Sequence, residues 1–493
     1  MISTSQTENG AIAFATTSHP VLDYFTQIVR NTSKPEVDDS FKLAWNYDST
    51  LSMKAVLNFR DIRNGKGERS IPYHSIGLLR NFVPKTYMAT LLLLMNKYGC
   101  FIDVFKIVKE LKIDKPMMEI DMIIYQLRVD LLKLENGENV SLCAKWCPSE
   151  NSQFSYYAKQ IGERMFPQSK TQMKDYRTKV LIPLRRKIDI VERHMSANEW
   201  NTINYETTPS KAMRLYRKSF ETHDEERFKH FQNRLKNGEA KINVGGTTAH
   251  DLVRQTLCIN YDIIIEHQWQ TICTNMKECG VLSGYLPVVD VSGSMYGTPM
   301  EVAIALGLMT SLLNEGPFNR KMITFSHYPT LVTVEGDNLE EQVQFVQSMD
   351  WGTNTDIIAV FKLIIDFGKA MNVSNEQMPK NVIVFTDMQF DSASFYQNGR
   401  SNLNTTYEIV KQMYHESNYT PPNFIFWNLR TSVSAFPVES TTEGTAIVSG
   451  YSQELLKSFM NGKLIQSPIE MLNDILEPYE NVVDQDEKEH KFK

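Results

Sequence analysis

The segment Leu286-Pro-Val-Val-Asp290-Val-Ser292-Gly-Ser294 is a short apolar run that stops on a carboxylate and passes at once into a hydroxyl-rich turn. A run of this length bounded by turn residues reads as a buried strand. A helical pattern follows from Met300 to Leu313, then two short strands, Met322 to Phe325 and Leu331 to Val334. Helical spacing returns over 338–347 and 356–370, before buried-type strands at Asn381 to Asp387, Asn423 to Leu429 and Thr445 to Ser449. Strands alternating with helices predict a doubly wound α/β sheet. In such sheets ligands sit beyond the carboxyl ends of the strands, where the strand order reverses. A last helix is predicted from Ser467, with Glu470 completing a capping box.

Upstream of this region the periodicity changes. From about 21 to 280 amphipathic blocks of helical spacing alternate with short polar breaks. Thr208-Pro209 predicts a helix start, with proline in the first helical position. Met213, Tyr216 and Phe220, then Phe228, Phe231 and Leu235, recur at three-to-four spacing around a break near His223-Asp224, and Asn237-Gly238 ends the block. No repeat period stands out, so an α-solenoid and an irregular helical bundle both fit. The expected organisation is a disordered arm over 1–20, a helical domain over 21–280, an α/β domain over 281–477 and a charged, frayed tail over 478–493.

The chain has 493 residues, 42% hydrophobic and 22% charged, which is the composition of a folded protein. Its formal charge of −6 excludes a globally basic nucleic-acid coat. That average hides an asymmetry. Residues 281–493 carry 13 lysines and arginines against 26 aspartates and glutamates, whereas 1–280 carry 39 against 32. Two domains with different partners are expected. The six cysteines lack four-ligand zinc spacing, and Cys143 and Cys147 form the one close pair. The N-terminus shows no basic start followed by an apolar run, and the greasiest stretch, Met88 to Met95, is far short of the ~20 residues that span a bilayer. An intracellular, cytoplasmic protein without a membrane segment is expected.

Asp290, Ser292 and Ser294 alternate along the chain and can turn three oxygen ligands to one spot. A second oxygen-rich loop, Trp351-Gly-Thr353-Asn-Thr355-Asp356, and a third, Thr386-Asp387-Met388, also fall where predicted strands end or helices begin. Hard oxygen donors with two or three carboxylates suit Mg²⁺ or Mn²⁺ better than zinc. One coordination position would then accept a carboxylate or phosphate from a partner. The plainer reading is a polar turn in which Ser292 or Ser294 merely caps the next helix.

Catalytic patterns fit poorly. An aspartyl phosphotransfer site needs a second acid two residues after the nucleophile, and Ser292 stands there. Gly293 and Gly297 lack the spacing and the lysine of a phosphate loop, the dinucleotide fingerprint is absent, and His327 and His415 form no serine–histidine–aspartate order. The site reads as binding rather than enzymatic, with a metal-dependent phosphoesterase as the remote alternative.

The helical half carries basic clusters. Phe59-Arg-Asp-Ile-Arg-Asn-Gly-Lys-Gly-Glu-Arg69 places Arg60, Arg63, Lys66 and Arg69 beside flexible glycines, a combination that can grip phosphate. Arg185, Arg186 and Lys187 form a second cluster, and Arg214, Arg217 and Lys218 a third. Over 176–241 there are 15 basic against 9 acidic residues, with Trp200, Tyr205, Tyr216 and Phe220 among them. Basic charge interleaved with aromatics is a footprint of single-stranded RNA binding. Solvated helix faces over an aromatic core give the same pattern. Trp146 reads as core packing. Trp351, Trp427 and Asn428 either line the metal site or close the sheet edge.

The pattern Asp290-x-Ser292-x-Ser294, then Thr353, then Asp387 resembles the von Willebrand factor A fold and its metal-ion-dependent adhesion site. The resemblance implies that these five residues hold the metal, with Thr355 an alternative to Thr353. A helical domain with the Arg60–Arg69 loop ahead of such a domain is similar to the TROVE-containing Ro RNA-binding proteins. That resemblance implies a HEAT-like helical domain and RNA binding. The chain more closely resembles the family called domain of unknown function 2828, of eukaryotes and large DNA viruses. It does so through Ala144-Lys-Trp146, Pro148-Ser-Glu150, Tyr176-Arg with Leu184-Arg-Arg, Lys241-Ile-Asn, His250-Asp-Leu-Val, Asp290-Val-Ser-Gly-Ser-Met, Trp351-Gly-Thr-Asn-Thr, Met378-Pro-Lys, Phe385-Thr-Asp-Met and Phe426-Trp-Asn-Leu-Arg430. The expectation is a non-enzymatic RNA- or ribonucleoprotein-binding scaffold whose Mg²⁺ or Mn²⁺ site takes an acidic residue of a protein partner. A protein–protein adaptor without RNA binding is the alternative. The sequence does not set the oligomeric state.

Overall fold

The computed structural model describes residues 4–6, 12–258, 261–325, 329–349, 357–389, 406–430 and 436–493. They form two compact units: one from 1–71, 244–483 and 488–493, the other from 72–243 and 484–487.

The first unit is built on a six-stranded sheet. Its strands are β1 (Tyr285–Asp290), β2 (Lys321–Phe325), β3 (Thr330–Thr333), β4 (Asn381–Thr386), β5 (Asn423–Asn428) and β6 (Thr445–Ser449). Their order across the sheet is β6-β5-β4-β1-β2-β3, all parallel except β3, which runs antiparallel to β2. β1, β4 and β6 are buried along their whole length, as parallel strands covered on both faces must be. The predicted α/β alternation is therefore present.

The helices of this unit are α1 (Pro20–Gln27), α2 (Lys34–Tyr47), α3 (Ser49–Arg60), α4 (Ala249–Leu257), α5 (Ile263–Cys279), α6 (Thr298–Leu313), α7 (Leu339–Gln347), α8 (Ile357–Ala370), α9 (Thr406–Glu416) and α10 (Pro468–Leu476). Side-chain alternation sorts the strands onto two faces. Leu286, Val288, Val382, Val384, Phe424 and Phe426 meet Phe361 and Ile364 of α8 and Tyr414 of α9. On the other face Val289 lies under α6. A Cβ at Gly307 of α6 would fall 2.4 Å from Val289 Cγ2, so glycine is what lets this helix approach β1. The Ser467–Glu470 cap starts α10 as the sequence predicts.

Three expectations about organisation change. The segment expected to be a disordered arm pairs Thr4–Gln6 with Ile12–Phe14, and Phe14 exchanges backbone hydrogen bonds with Phe436 at 2.8 and 2.7 Å. The tail expected to fray is held: Trp45 Nε1 donates to the His490 carbonyl at 2.8 Å and Tyr479 Oη to Asp61 at 3.1 Å. The boundary expected near 281 does not separate the units. α1–α3, α4 and α5 belong with the sheet, since Asn428 donates to the Thr26 carbonyl at 2.9 Å and Arg254 of α4 pairs with Glu301 of α6 at 2.7 Å. Helical periodicity shows that a helix has an apolar face but not which core receives it.

The second unit is helical. Met117–Glu135, Ser155–Met165 and the run from Gln172 to Ile188, which includes a π turn at Tyr176–Leu181, enclose a core with Phe105, Ile123, Leu127, Tyr176 and Leu184. Buried Glu119 accepts from Arg80 at 2.8 Å and from Tyr87 at 2.9 Å. The break at His223-Asp224 separates Ser210–His223 from Glu225–Lys236 as predicted. Pro209 is the N-cap of the first of these rather than its first helical residue, and the Thr208 hydroxyl turns back to the Asn204 carbonyl at 2.8 Å. No helix among the described residues is long and apolar enough to cross a membrane.

Candidate metal centre

β1 and β4 are neighbours, and the chain leaves them in opposite directions across the sheet: β1 leads to β2, β4 to β5. The order reverses between them, so their carboxyl ends form the switch-point crevice. Asp290 is the last residue of β1, and Asp387 follows Thr386, the last residue of β4. The sequence predicts both at a strand end, and both lie there.

The two carboxylates are sequestered: Asp290 is 0% and Asp387 1% exposed. Asp290 accepts from the Ser292 backbone N–H and from the Thr386 hydroxyl, each at 2.9 Å. Asp387 accepts from the Gln389 N–H at 3.1 Å and pairs with Arg430 Nη1 at 3.2 Å. The Ser292 and Ser294 hydroxyls lie 3.0 Å apart. Just after Asp387, Met388 holds a left-handed φ of 65° while its N–H donates to Thr386 Oγ1 at 3.1 Å, which fixes the turn after β4. Burial and then the negative charge of Asp387 push the Asp290 carboxyl up to about 6, against the pull of the bonds from Ser292 and Thr386.

Two buried like charges are relieved by a cation beside them, and among the described residues Arg430 stands against Asp387. The donors on hand are carboxylate and hydroxyl oxygens, the chemistry that hard divalent ions prefer. Among the described residues no three His, Cys, Asp or Glu side chains gather at one point. Asp290, Ser292, Ser294 and Asp387 fit Mg²⁺ or Mn²⁺. Thr353, its alternative Thr355, and Trp351 lie outside the described residues, as does His327.

Two participants escaped sequence reasoning. Thr386 was legible only as part of an oxygen-rich loop, yet it secures Asp290. Arg430 follows the predicted strand Asn423 to Leu429 and entered the sequence reading only as the end of the Phe426–Arg430 motif, with no site role. Trp427 does not line the crevice: it is buried, and its indole donates to the Gly450 carbonyl at 2.8 Å.

The basic positions divide differently. Lys66 is 1% exposed and Arg60 is buried too, while Arg63 and Arg69 are exposed. Lys66 Nζ donates to the carbonyls of Phe25 and Ile28 and to Ser449 Oγ, between the rings of Phe25 and Phe59 at 4.1 and 4.2 Å. It is a buried tie, not a phosphate grip, because the glycines around it fold the loop inward: a Cβ at Gly65 would fall 2.1 Å from the Asn58 carbonyl oxygen. Arg185 is likewise committed, donating to the carbonyls of Ala144 and Cys147 at 2.9 and 2.8 Å and to Ser149 Oγ at 3.0 Å. Arg186 and Lys187 are exposed. These three lie in the helical unit, and the Arg60–Arg69 loop lies in the sheet unit. Trp146 packs against the helical core, as expected.

A mixed, mostly parallel α/β sheet with an acidic, hydroxyl-lined switch point, joined in one chain to a helical unit, defines the class of protein. The chain belongs to the family whose model is described as Domain of unknown function (DUF2828), which matches residues 7–124 and 120–282. A second model, Domain of unknown function (DUF7788), matches 285–493 and so takes in the whole six-stranded sheet. The chain is also similar to the protein of Acanthamoeba polyphaga mimivirus described as "Uncharacterized protein L728". The two are 32% identical over 511 residues, covering 97% of this chain and 88% of the viral one.

Proposed function

We propose that the sheet unit is a von Willebrand factor A-like domain with a metal-ion-dependent adhesion site, and that the protein is a non-enzymatic, cation-dependent binding protein. The single observation that carries this reading is the burial of Asp290 and Asp387 side by side at the switch point, with the Ser292 and Ser294 hydroxyls beside them. The strand order, with an antiparallel edge at β3, supports the fold assignment. Asp290, Ser292, Ser294, Asp387 and Thr353 would hold Mg²⁺ or Mn²⁺. The ion supplies a Lewis-acidic position for an acidic side chain of a protein partner.

Protein binding takes precedence here over RNA binding, because Lys66, Arg60 and Arg185 are spent inside the fold. The RNA arm, with its TROVE- and HEAT-like helical domain, rests on Arg63, Arg69, Arg186 and Lys187. It is tested by sequencing RNA crosslinked to the protein in cells. Loss of enriched RNA when these four become glutamate supports it, and equal background on both proteins refutes it.

The test of the main reading is calorimetry with millimolar Mg²⁺ or Mn²⁺. Binding to the wild type that Asp290→Ala abolishes is expected, and a wild type that takes up no metal sinks the proposal. Turnover of an aryl phosphate by the Mg²⁺-loaded protein would overturn the non-enzymatic part.

A further inference from the structure

Arg430 is held in an unusual way. Its backbone is pinned: the Leu429 N–H donates to the Thr386 carbonyl at 2.9 Å, the Arg430 N–H donates to Asn428 Oδ1 at 3.0 Å, and Asn428 is itself tied to Thr26 at 2.9 Å. Its side chain, by contrast, is 39% exposed, while the Asp387 carboxylate it reaches is fully buried. The base of the side chain is therefore fixed, and its charged end lies partly in solvent.

The charges say what such an arm does. Asp290 and Asp387 together carry two negative charges, and Arg430 is the cation paired with Asp387. A divalent ion held by both aspartates balances them completely. Among the described residues the guanidinium then has no carboxylate left to neutralise, and it would meet a second positive centre in a poorly solvated crevice, where like charges repel strongly. One positive charge remains at the mouth of the loaded site, which suits a single incoming carboxylate.

We propose that Arg430 is the site's exchangeable counter-ion: it occupies Asp387 until a divalent cation enters, yields the carboxylate to the cation, and then receives the carboxylate of the partner. This rests on the metal reading above and adds to it a residue that couples metal entry to ligand capture. Arg430 is a positioning residue for the metal and a contact residue for the ligand.

The test is Mn²⁺ calorimetry on the full chain in four forms: wild type, Arg430→Gln, Arg430→Lys and Asp290→Ala. Arg430→Gln is expected to bind Mn²⁺ roughly tenfold more tightly than the wild type, because the competing charge is gone. Arg430→Lys keeps the charge and should stay near the wild type. A merely structural arginine would instead give weaker metal binding when removed. Unchanged or weaker affinity in Arg430→Gln, with binding still abolished in Asp290→Ala, overturns the counter-ion role and leaves the metal site standing. An equal gain in Arg430→Lys and Arg430→Gln overturns it too, since charge would not be the cause. Absence of Mn²⁺ uptake in all four forms overturns both readings. For the ligand half, the probe is acetate, whose proton relaxation by bound Mn²⁺ reports its approach. Enhancement should be several-fold larger with wild type than with Arg430→Gln at equal metal loading, and equal enhancement overturns ligand capture.

Discussion

The ammonium of Lys66 lies 2.7 Å from the hydroxyl of Ser449, the last residue of β6, across 383 residues of chain. Around it the carbonyls of Phe25 and Ile28 close the cradle at the carboxyl end of α1, where backbone dipoles leave negative partial charge. Glu68, two residues on, pairs with Arg30 at 3.1 Å. The Lys66 loop thus joins the amino-terminal helices to the edge strand of the sheet, and burial depresses the basicity of its amine well below the ordinary lysine range.

Replacing Lys66 by Met takes its donor from the Ile28 carbonyl and the Ser449 hydroxyl, and leaves the Phe25 carbonyl with the Ser449 hydroxyl alone. An apolar isostere fills the space but not the hydrogen bonds, so a loss of about 2–4 kcal/mol is expected. Urea unfolding measures it. A midpoint equal to the wild type would mean that the tie contributes nothing to stability.

Asp290→Asn removes one of two adjacent buried charges. The Asp290 carboxyl is raised to about 6 in the fold against 3.8 for the free side chain. Its ionised form is therefore penalised in the folded state, and that penalty is fully present above pH 6. In EDTA at pH 7.5 the variant should melt no lower than the wild type, whereas the rise in melting temperature produced by Mg²⁺ should vanish. A variant that still gains from Mg²⁺ would contradict the ligand role of Asp290.

Gly307→Ala drives a methyl group to within 2.4 Å of Val289 Cγ2. α6 must then back away from β1, with an expected cost of about 2 kcal/mol or more. Because Val289 adjoins Asp290, Mn²⁺ affinity should fall together with stability. Differential scanning calorimetry and metal titration of the same sample check both, and intact affinity with lowered stability would show that the strand end is insulated from α6.

His250 gives the pH dependence. It is buried, its Nδ1 lies 3.1 Å from the Tyr451 carbonyl, and burial lowers its pKa to about 4, with Arg30 and Arg254 adding to the fall and Asp251 opposing it. The unfolded chain takes up this proton near pH 6.5 and the folded one only near 4, so stability is lost as pH falls through that window. The expected difference between pH 7 and pH 4.5 is at least about 1 kcal/mol larger for the wild type than for His250→Gln. Equal pH profiles would remove His250 as the cause.

Much of the sheet was readable because its signals are local. Buried parallel strands such as Tyr285–Asp290 and Asn381–Thr386 are continuous apolar runs, and each stops where the chain meets the crevice. Asp290, Ser292, Ser294 and Asp387 could be picked out because their oxygen-bearing side chains stand where apolar runs end. Fold class, the two acids and the Ser467 cap follow from neighbours a few residues apart.

What sequence could not supply was pairing across distance. Lys66 and Arg185 are as basic as any surface residue, and only the packing shows that their charges are consumed by carbonyls at 2.8–3.3 Å and, for Lys66, by the Ser449 hydroxyl at 2.7 Å. Arg430 looks like one more exposed arginine until β4 and β5 bring it 3.2 Å from Asp387. The amino-terminal helices carry the same periodicity as those of the helical unit, yet they pack with the sheet. Periodicity and motif spacing are properties of short segments, whereas the partner of a charge or of an apolar face depends on which distant segments fold against it. The chain by itself determined its elements and its oxygen-rich strand ends. The tertiary structure decided which cations are buried ties and which one faces the acids.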